Sequence, residues 1–348
     1  MSLVRDRLVE PIQQTVPDPV LRVWRPVLVV VLAALPLLPP VYISNSTLSL
    51  LTEVFIFAIF AMSYDILIGY TGVVSFGHAL PFGLAAYTLG LLLKAADPLI
   101  GTAIPFIPAA IITVAIVTIV SAVIGYLAFQ VSGVYFSLIT LAFAQLFYEA
   151  SRQLNTITGG ANGLSGVPAP PLVAGLFPLD NPANFYWLTL VLVAGCYLAI
   201  RRLLNSPLGK VFVAIRENDT RARAIGLDVF KFKLAAFTFA GLFAAIGGML
   251  YGPYLNFVSP ITLYWNTGGN ALLMTLIGGM GSLWGPLAGA AFLVVLRDFV
   301  SSITDLWLIV LGVIYVVFVI FIPQGFAGLI TGEGDVMSFS ELVSRIRP

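Results

Sequence analysis

Long apolar runs alternate with short polar segments along most of the chain. A helix that crosses a bilayer needs about 20 predominantly apolar residues. Runs of this kind predict ten membrane-spanning helices, at residues 27–44, 49–68, 73–93, 104–129, 131–150, 184–200, 234–255, 268–281, 283–297 and 304–322. The eighth and ninth runs are short and flank a Gly/Pro cluster, so the pattern indicates about eight to ten spans in an all-α polytopic membrane protein.

The composition supports this class. Of the 348 residues, 59% are hydrophobic and 9% are charged, and the mean hydropathy is +1.01. A soluble domain carries about 25% charged residues, so most of the surface of this chain must face lipid. The sequence has a single cysteine and a single histidine. An internal disulfide is therefore excluded, and no metal site is expected.

The basic residues are concentrated in three segments. Four lie in residues 1–26, eight in residues 201–233 and two after residue 331, which together are 14 of the 17 Lys and Arg. Ten spans place these three segments on one side of the membrane, and cytoplasmic loops accumulate Lys and Arg. We therefore predict a protein of the cell (inner) membrane whose termini and 201–233 loop are cytoplasmic.

This topology divides the chain into a cytoplasmic N-terminal segment, residues 1–26, a transmembrane domain, residues 27–330, and a cytoplasmic tail, residues 331–348. The loop at 151–183 is then external. It is dense in Gly, Pro and Asn, which predicts turns rather than helices.

The 201–233 loop has the pattern of two short helices. Ser206-Pro207 is typical of a helix start, with a side-chain cap and a proline in the first turn. The first helix then places Val211, Phe212 and Ile215 on one apolar face. This amphipathic pattern distinguishes the loop from a flexible linker.

A second helix is predicted at 220–225. Asn218 or Asp219 can cap its start, and Gly226 would end it in the left-handed conformation. Ala222 and Ile225, three residues apart, are expected to form a small apolar edge between basic side chains. Such a helix suits docking into a groove of a soluble partner, or binding to the lipid headgroup region, and the pattern itself leaves both interpretations open.

Two glycine-rich breaks interrupt the apolar runs near the same face. Residues 68–72 and 277–281 share the pattern Ile-Gly-x-x-Gly. Paired interrupted helices often mark the substrate route of a transporter. The alternative interpretation is close helix packing through small residues. The candidate route residues are Gly72, Ser75, Gly77, His78, Tyr135, Ser137, Thr140, Gly278 and Gly281.

Several of these polar residues have a simpler interpretation. His78 is equally a hydrogen-bonding group at a helix start, and the polar side chains of the fifth span are equally helix-to-helix hydrogen bonds. Among the acidic residues of the spans, Glu53, Asp65 and Glu149 are expected to reach the interface or to pair with a neighbour such as Arg152. No mid-membrane pair of carboxylates with a basic partner is evident, which argues against an ion-driven carrier.

Four groups of motifs carry a family resemblance. Residues 206–210, 214–218, 221–222 and 225–226 resemble the cytoplasmic loop of branched-chain amino-acid ABC importer permeases of the LivM type. Residues 69–87 resemble the Gly-Tyr-x-Gly, Gly-His-Ala and Gly-Ala-Tyr signature of that family, and residues 158–164 resemble its external loop. The Gly-rich segment 278–290 and Pro-Gln-Gly at 323–325 resemble its C-terminal half.

The resemblance implies an ABC importer permease that works with a second homologous permease, two cytoplasmic ATPase subunits and an external binding protein. It implies that the coupling helix, which contacts an ATPase, comprises Arg216, Glu217, Asn218, Arg221, Ala222, Ile225 and Gly226. It further implies that the binding protein docks at Gly159, Gly160 and Asn162. Leucine, isoleucine and valine are the first expected substrates, with urea, short amides and other small carboxylates as alternatives.

Two other classes of function are less favoured. The chain lacks a GxxxxGK[ST] phosphate loop, so it is expected to bind no cofactor, and ATP with Mg²⁺ would bind the partner subunits. It also lacks the nucleophile and zinc motifs of an intramembrane enzyme. A secondary carrier or a channel remains the alternative function, although neither needs a mechanical link to an ATPase.

Overall fold

A computed structural model describes residues 44–94, 104–172, 177–322 and 324–331. Almost all of the first predicted span, 27–44, lies outside the described residues. So do the N-terminal segment 1–26 and most of the C-terminal tail. The remaining nine predicted spans fall within the described part of the chain.

The described residues form thirteen α-helices and one pair of very short strands. The first six helices are α1 (Asn45–Asp65), α2 (Ala79–Leu93), α3 (Phe106–Ala128), α4 (Val134–Gln153), α5 (Asn155–Thr158) and α6 (Pro182–Leu204). They are followed by α7 (Pro207–Glu217), α8 (Asp219–Ala224), α9 (Val229–Leu255) and α10 (Trp265–Gly278). The last three are α11 (Gly285–Ile303), α12 (Trp307–Phe321) and α13 (Gly325–Thr331).

Six of these helices are long and apolar enough to cross a membrane: Asn45–Thr71, Phe106–Ala128, Val134–Gln153, Pro182–Leu204, Val229–Leu255 and Gly285–Ile303. α2, α10 and α12 are shorter. This arrangement confirms an all-α polytopic membrane protein, and each of the nine predicted spans coincides with a helix. One boundary was wrong, because the span predicted at 73–93 is helical only from residue 79.

α1 is the central helix of the bundle. It packs against α6, α9 and α11, and its side chains from Val54 to Asp65 are buried on every face. A helix that is apolar all round belongs in the core. α3 is the contrasting case, because Ile111, Ile119 and other large apolar side chains project outward, as a lipid-facing helix requires.

The two ends of the bundle differ. One end carries α7, α8 and the 201–233 loop, and we refer to it as the basic end. The opposite end carries the described parts of the 151–183 loop, where β1 (Leu164–Ser165) pairs antiparallel with β2 (Phe257–Val258). As predicted, that loop consists mainly of turns, with only the four-residue α5 and a 3-10 turn, Gly160–Asn162, between α4 and β1.

Candidate functional site

The chain folds back into the bundle after the first glycine break. α1 continues as a π-helical segment, Ile66–Thr71, and π-helical turns are uncommon and occur frequently at functional sites. The non-helical residues 72–78 follow. His78 Nε2 lies 2.8 Å from Ser63 Oγ, and Ser63 precedes Thr71 by eight residues, or about 12 Å along a helix. Residues 72–78 therefore run back from the basic end into the membrane-spanning part of the protein, and we call them the re-entrant segment.

Neighbouring backbones hold this re-entrant segment in place. Ser137 Oγ on α4 donates to the Val74 carbonyl at 2.6 Å. A Cβ added at Gly77 would overlap the backbone of Thr140, so glycine is required where the segment crosses α4. The Tyr64 hydroxyl donates to the Ser75 carbonyl at 3.0 Å. These contacts satisfy irregular backbone at a depth where water is scarce.

The second glycine break lies between α10 and α11. α10 ends at Gly278, whose Cα lies so close to the Gly285 carbonyl that a Cβ would not fit. Gly281 has φ +76°, a left-handed backbone that favours glycine. Its N–H donates to Asp65 Oδ1 at 2.8 Å, which connects the second break to the end of α1.

Both breaks meet the last turn of α7 at one place, which we call the glycine junction and define as Asp65, Gly69, Arg216 and Gly281. Arg216 Nη1 donates to the Gly69 carbonyl. A Cβ at Gly69 would lie 2.5 Å from the Gly281 nitrogen, and one at Gly281 would lie 3.1 Å from Arg216 Nη1. Three segments far apart in sequence are thus in direct contact.

The Gly281 N–H and the nearby Arg216 both stabilise the carboxylate of Asp65 at the glycine junction. The Asp65 side chain is completely buried, and only one of its oxygens, Oδ1, has a hydrogen-bond partner among the described residues. Burying a carboxylate in the membrane costs several kcal/mol unless a cation or hydrogen bonds compensate. The Arg216 guanidinium supplies favourable Coulomb interaction with Asp65 and is itself 38% exposed at the basic end.

The candidate route residues occupy different surroundings. His78 is buried, stacks on Phe60 with ring centroids 5.5 Å apart, and is the residue that precedes α2, which supports its interpretation as a hydrogen-bonding group. Thr140 Oγ1 bonds within its own helix, and Tyr135 is 72% exposed, on another side of α4. The Ser75 hydroxyl is buried and has no partner among the described residues.

The glycine breaks themselves are closed by packing. Gly278 and Gly281 contact backbone and Arg216, and Gly72 contacts Arg216, whose Cγ lies 3.0 Å from the position of a Cβ there. This geometry supports the interpretation of close packing at these three glycines. It also gives Gly72 and Gly281 a shared neighbour, Arg216, that the sequence pattern does not reveal.

One expectation about the acidic residues requires correction. Asp65 does not reach the interface, because it is completely buried and bonded to the second break. Glu53 pairs with a basic residue, which is one of the two expected alternatives, since Arg297 Nη2 lies 2.6 Å from Glu53 Oε1. The two residues are 244 positions apart, so no local spacing signals the pair. The expected Glu149–Arg152 pair is confirmed at 3.4 Å.

The helices of the 201–233 loop are largely as predicted. Pro207 opens α7, and Phe212 and Ile215 are buried. Asn218 caps α8 by accepting from the Arg221 N–H at 2.9 Å, and Gly226 has φ +88°. The expected Ser206 cap is wrong, because its hydroxyl donates to the Leu203 carbonyl instead.

The expected apolar edge of the second helix is also wrong. Ala222 is buried against Ile215 and Val229, whereas Ile225 is 75% exposed. The helix ends at Ala224, so Ile225 follows it as the cap residue and projects away from the bundle. Ile225 is therefore the one large apolar side chain that is exposed in the 201–233 loop.

Charges around α8 are only partly paired. Lys233 Nζ lies 2.5 Å from Asp219 Oδ2, and Lys231 Nζ lies 3.0 Å from Asp228 Oδ2. The hydrogen bond from Lys231 lowers the pKa of Asp228 from its ordinary value. Several cations have no ion-pair partner in the described ranges, so the basic end keeps an excess of positive charge: Arg201, Arg202, Lys210, Arg221 and Arg223.

A cleft of about 1100 Å³ opens at the basic end beside the glycine junction. Its walls are the re-entrant segment, the turn between α3 and α4, and the loop from α7 to α9. At the opposite end, Asn162 is exposed and Gly160 is buried, with Gly159 between these extremes. No group of three potential metal-ligating side chains occurs among residues 44–94, 104–172, 177–322 and 324–331.

Comparisons with known proteins relate the chain to transport permeases. The family described as the permease component of branched-chain amino acid transport systems matches residues 46–319. The high-affinity branched-chain amino acid transport permease LivM of Salmonella typhimurium is 28% identical over 311 residues, which cover 82% of this chain and 71% of the relative. The probable LivM of Methanocaldococcus jannaschii is 25% identical over 271 residues, covering 70% and 77%.

Another relative, matched over a shorter length, is named for the import of a different substrate. The autoinducer 2 import permease LsrC of Klebsiella pneumoniae is 30% identical over 152 residues, 38% of this chain and 40% of the relative. No solved structure is significantly similar. Because the family match extends over most of the chain, this multi-pass membrane protein belongs to the family of permease components of branched-chain amino acid transport systems.

Proposed function

We propose that this chain is the permease subunit of an ATP-binding-cassette importer and that α7 and α8 transmit the motion of a cytoplasmic ATPase to the membrane helices. The observation that carries the proposal is the hydrogen bond from Arg216 to Gly69, which connects the end of α7 to both glycine breaks. Movement of α7 alters the contacts of the π-helical segment and of Gly281 together. Conformational switches operate in this way when a partner favours one of two arrangements of a structural element.

The partner-facing surface is the exposed part of α8 together with Ile225, the residue that follows it. Ile225 projects from a region rich in unpaired cations, whereas Ala222 holds α8 against the bundle. A partner with an apolar socket and an acidic rim fits this surface, because the socket buries Ile225 and the rim balances the charge. We assign Arg216, Glu217, Asn218, Arg221, Ile225 and Gly226 to the coupling region and Ala222 to its internal support.

The proposal includes the remaining parts of an importer. Two ATPase subunits would bind ATP with Mg²⁺ on the cytoplasmic side. The excess of Lys and Arg supports a cytoplasmic position for the basic end and for both termini. An external binding protein would deliver the substrate to the opposite end, near Gly159, Gly160 and Asn162. Branched-chain amino acids are the proposed substrates because the named LivM relatives transport them. Urea, short amides and other small carboxylates are the alternative substrates.

The test is the energy source of uptake. In membrane vesicles that contain the assembled complex, uptake should stop when ATP is depleted and should persist when ion gradients are collapsed. The chain should also copurify with two ATPase subunits. Uptake that follows an ion gradient and needs no ATP would instead support the secondary carrier.

A further inference from the structure

The outward face of α6 changes from apolar to cationic where the helix reaches the basic end. Val191, Gly195 and Leu198 follow one another at spacings of four and three residues, so they lie along one side of the helix, and all three are exposed. Arg202 and Asn205 continue the same spacing and are also exposed. An apolar stripe suited to lipid tails therefore ends directly at charged and polar side chains.

The cations at this end of α6 are not neutralised by the protein. Arg201 and Arg202 are both exposed, and neither side chain forms an ion pair or a hydrogen bond within the part of the chain that the structure describes. Of the other five described spanning helices, α9 is the one that carries Lys or Arg where it meets the basic end. Both lysines there are paired with carboxylates, at 3.0 and 2.5 Å. The end of α6 is thus the place where a spanning helix presents free positive charge.

The two guanidinium groups border an open depression of about 620 Å³, together with Leu198, Asn205 and Ser206. No carboxylate is among the described residues that line it. Arginine binds phosphate oxygens through paired N–H donors, and the Asn205 side-chain amide, which has no partner among the described residues, is a further donor. The depression therefore suits an anionic group and offers no acidic partner to an ammonium group.

Gly195 leaves room for a hydrocarbon chain on the same face. No atom lies within 4 Å of the position that a Cβ would occupy there. Its neighbours along the stripe, Val191 and Leu198, are 63% and 60% exposed, so the glycine forms a gap between two projecting apolar side chains. A phospholipid joins a phosphate to acyl chains and can use both the depression and the gap, whereas a free phosphate ion would use the depression alone.

We propose that this face of α6 binds one anionic phospholipid, with its phosphate on Arg201 and Arg202 and an acyl chain in the gap at Gly195. The site adjoins the corner between α6 and α7, which is tightly packed, because a Cβ at Gly209 would lie 2.0 Å from the Leu204 carbonyl oxygen. Bound lipid therefore holds the start of α7 at the membrane surface. The inference does not depend on the proposed function, since binding of lipid requires no ATPase.

Thermal unfolding of the purified full chain in detergent tests the site. Dioleoylphosphatidylglycerol should raise the Tm by about 2 °C or more, because a ligand that binds only the folded state stabilises it. Dioleoylphosphatidylcholine, which is zwitterionic, should not raise the Tm, and neither should glycerol 3-phosphate, which lacks acyl chains. Titration of the shift gives the apparent affinity for phosphatidylglycerol.

Three variants separate the specific site from general attraction to basic residues. The double change Arg201→Gln and Arg202→Gln should weaken the apparent affinity by more than about tenfold. Gly195→Leu keeps both cations but fills the gap, so it should also lose the shift. Lys210→Gln is the matched control, because Lys210 is an exposed, unpaired cation of the same end that does not border the depression, and it should keep the wild-type shift. The Tm of each variant without lipid shows whether its fold is intact.

Several results would overturn the proposal. They are the absence of a shift in the wild-type chain, an equal shift with phosphatidylcholine, and a shift with glycerol 3-phosphate alone. Undiminished binding by Gly195→Leu, or the same loss in Lys210→Gln as in the double arginine variant, would also contradict it.

Discussion

The guanidinium of Arg216 donates a hydrogen bond to the carbonyl of Gly69, a residue 147 positions earlier in the chain and inside a π-helical segment. The same segment contacts Gly281 of the second glycine break, through Gly69 directly and through the side chain of Asp65. A helix at the basic end is therefore attached to the two points where the membrane helices depart from regular geometry. The predictions below test this attachment and the surfaces around it.

Gly69→Ala and Gly281→Ala should each destabilise the protein. Alanine at 69 would overlap the Asp65 carboxylate and approach the Gly281 nitrogen, and alanine at 281 would have to adopt a left-handed backbone. Overpacking in a well-packed site costs about 1–3 kcal/mol. Thermal unfolding in detergent should show a lower Tm for both variants. Gly195→Ala is the matched control, since nothing lies within 4 Å of its Cβ position and alanine favours the helix.

Asp65→Ala should destabilise the protein more than Asp65→Asn does. Asparagine keeps an oxygen that can accept from the Gly281 N–H, whereas alanine leaves that donor buried and unsatisfied, at a cost of about 1–3 kcal/mol. The measurement is again thermal unfolding of the purified chain. An equal or smaller loss in the alanine variant would show that the Asp65–Gly281 bond does not hold the two breaks together.

Ile225→Asp should impair ATPase binding, whereas Ala222→Leu should lower the stability of the protein. Ile225 is 75% exposed, so aspartate there leaves the fold intact but should weaken copurification with the ATPase subunits. Ala222 is 2% exposed, so leucine there overpacks the contact with Ile215 and Val229 and should lower the Tm by displacing α8. Copurification and Tm are measured for both variants. Undiminished ATPase binding by Ile225→Asp would remove Ile225 from the proposed docking surface.

The Glu53–Arg297 pair should show coupling in a double-mutant cycle. Glu53 is 13% exposed and Arg297 is 37% exposed, so either single change to glutamine leaves a charge in the membrane without its partner. An intramembrane charge costs roughly 2.5–3.5 kcal/mol on insertion scales, and partial exposure reduces that figure. The double variant should therefore be more stable than the sum of the single effects predicts. Strict additivity would mean that the pair contributes nothing.

The helices were predictable from the sequence because the apolar runs are long and the local signals agree. The apolar face of α7, the Asn218 cap of α8 and the glycine that follows α8 were evident for the same reason. Those features depend on residues within a few positions of one another. The order and the approximate bounds of nine spans followed from hydrophobicity alone.

The contacts that join distant segments were not predictable. The sequence pattern around Arg216 indicates an exposed cation on a cytoplasmic helix. Nothing in the neighbouring residues indicates that its hydrogen-bond partner is the Gly69 carbonyl. The same applies to Arg297 and Glu53, which meet only after α1 and α11 pack together. Ala222 and Ile225 were expected on one face because they are three residues apart, and that expectation failed because α8 ends between them.

The most direct test of the account is the amount of substrate imported per ATP hydrolysed by the reconstituted complex. Arg216→Ala removes the bond to Gly69, so the ratio should fall by about tenfold, the effect of roughly 1.4 kcal/mol of lost coupling. Lys210→Ala, which removes an exposed cation from the same helix, should leave the ratio at the wild-type value. An unchanged ratio in Arg216→Ala, or an equal fall in both variants, would contradict the role given to the Arg216–Gly69 contact.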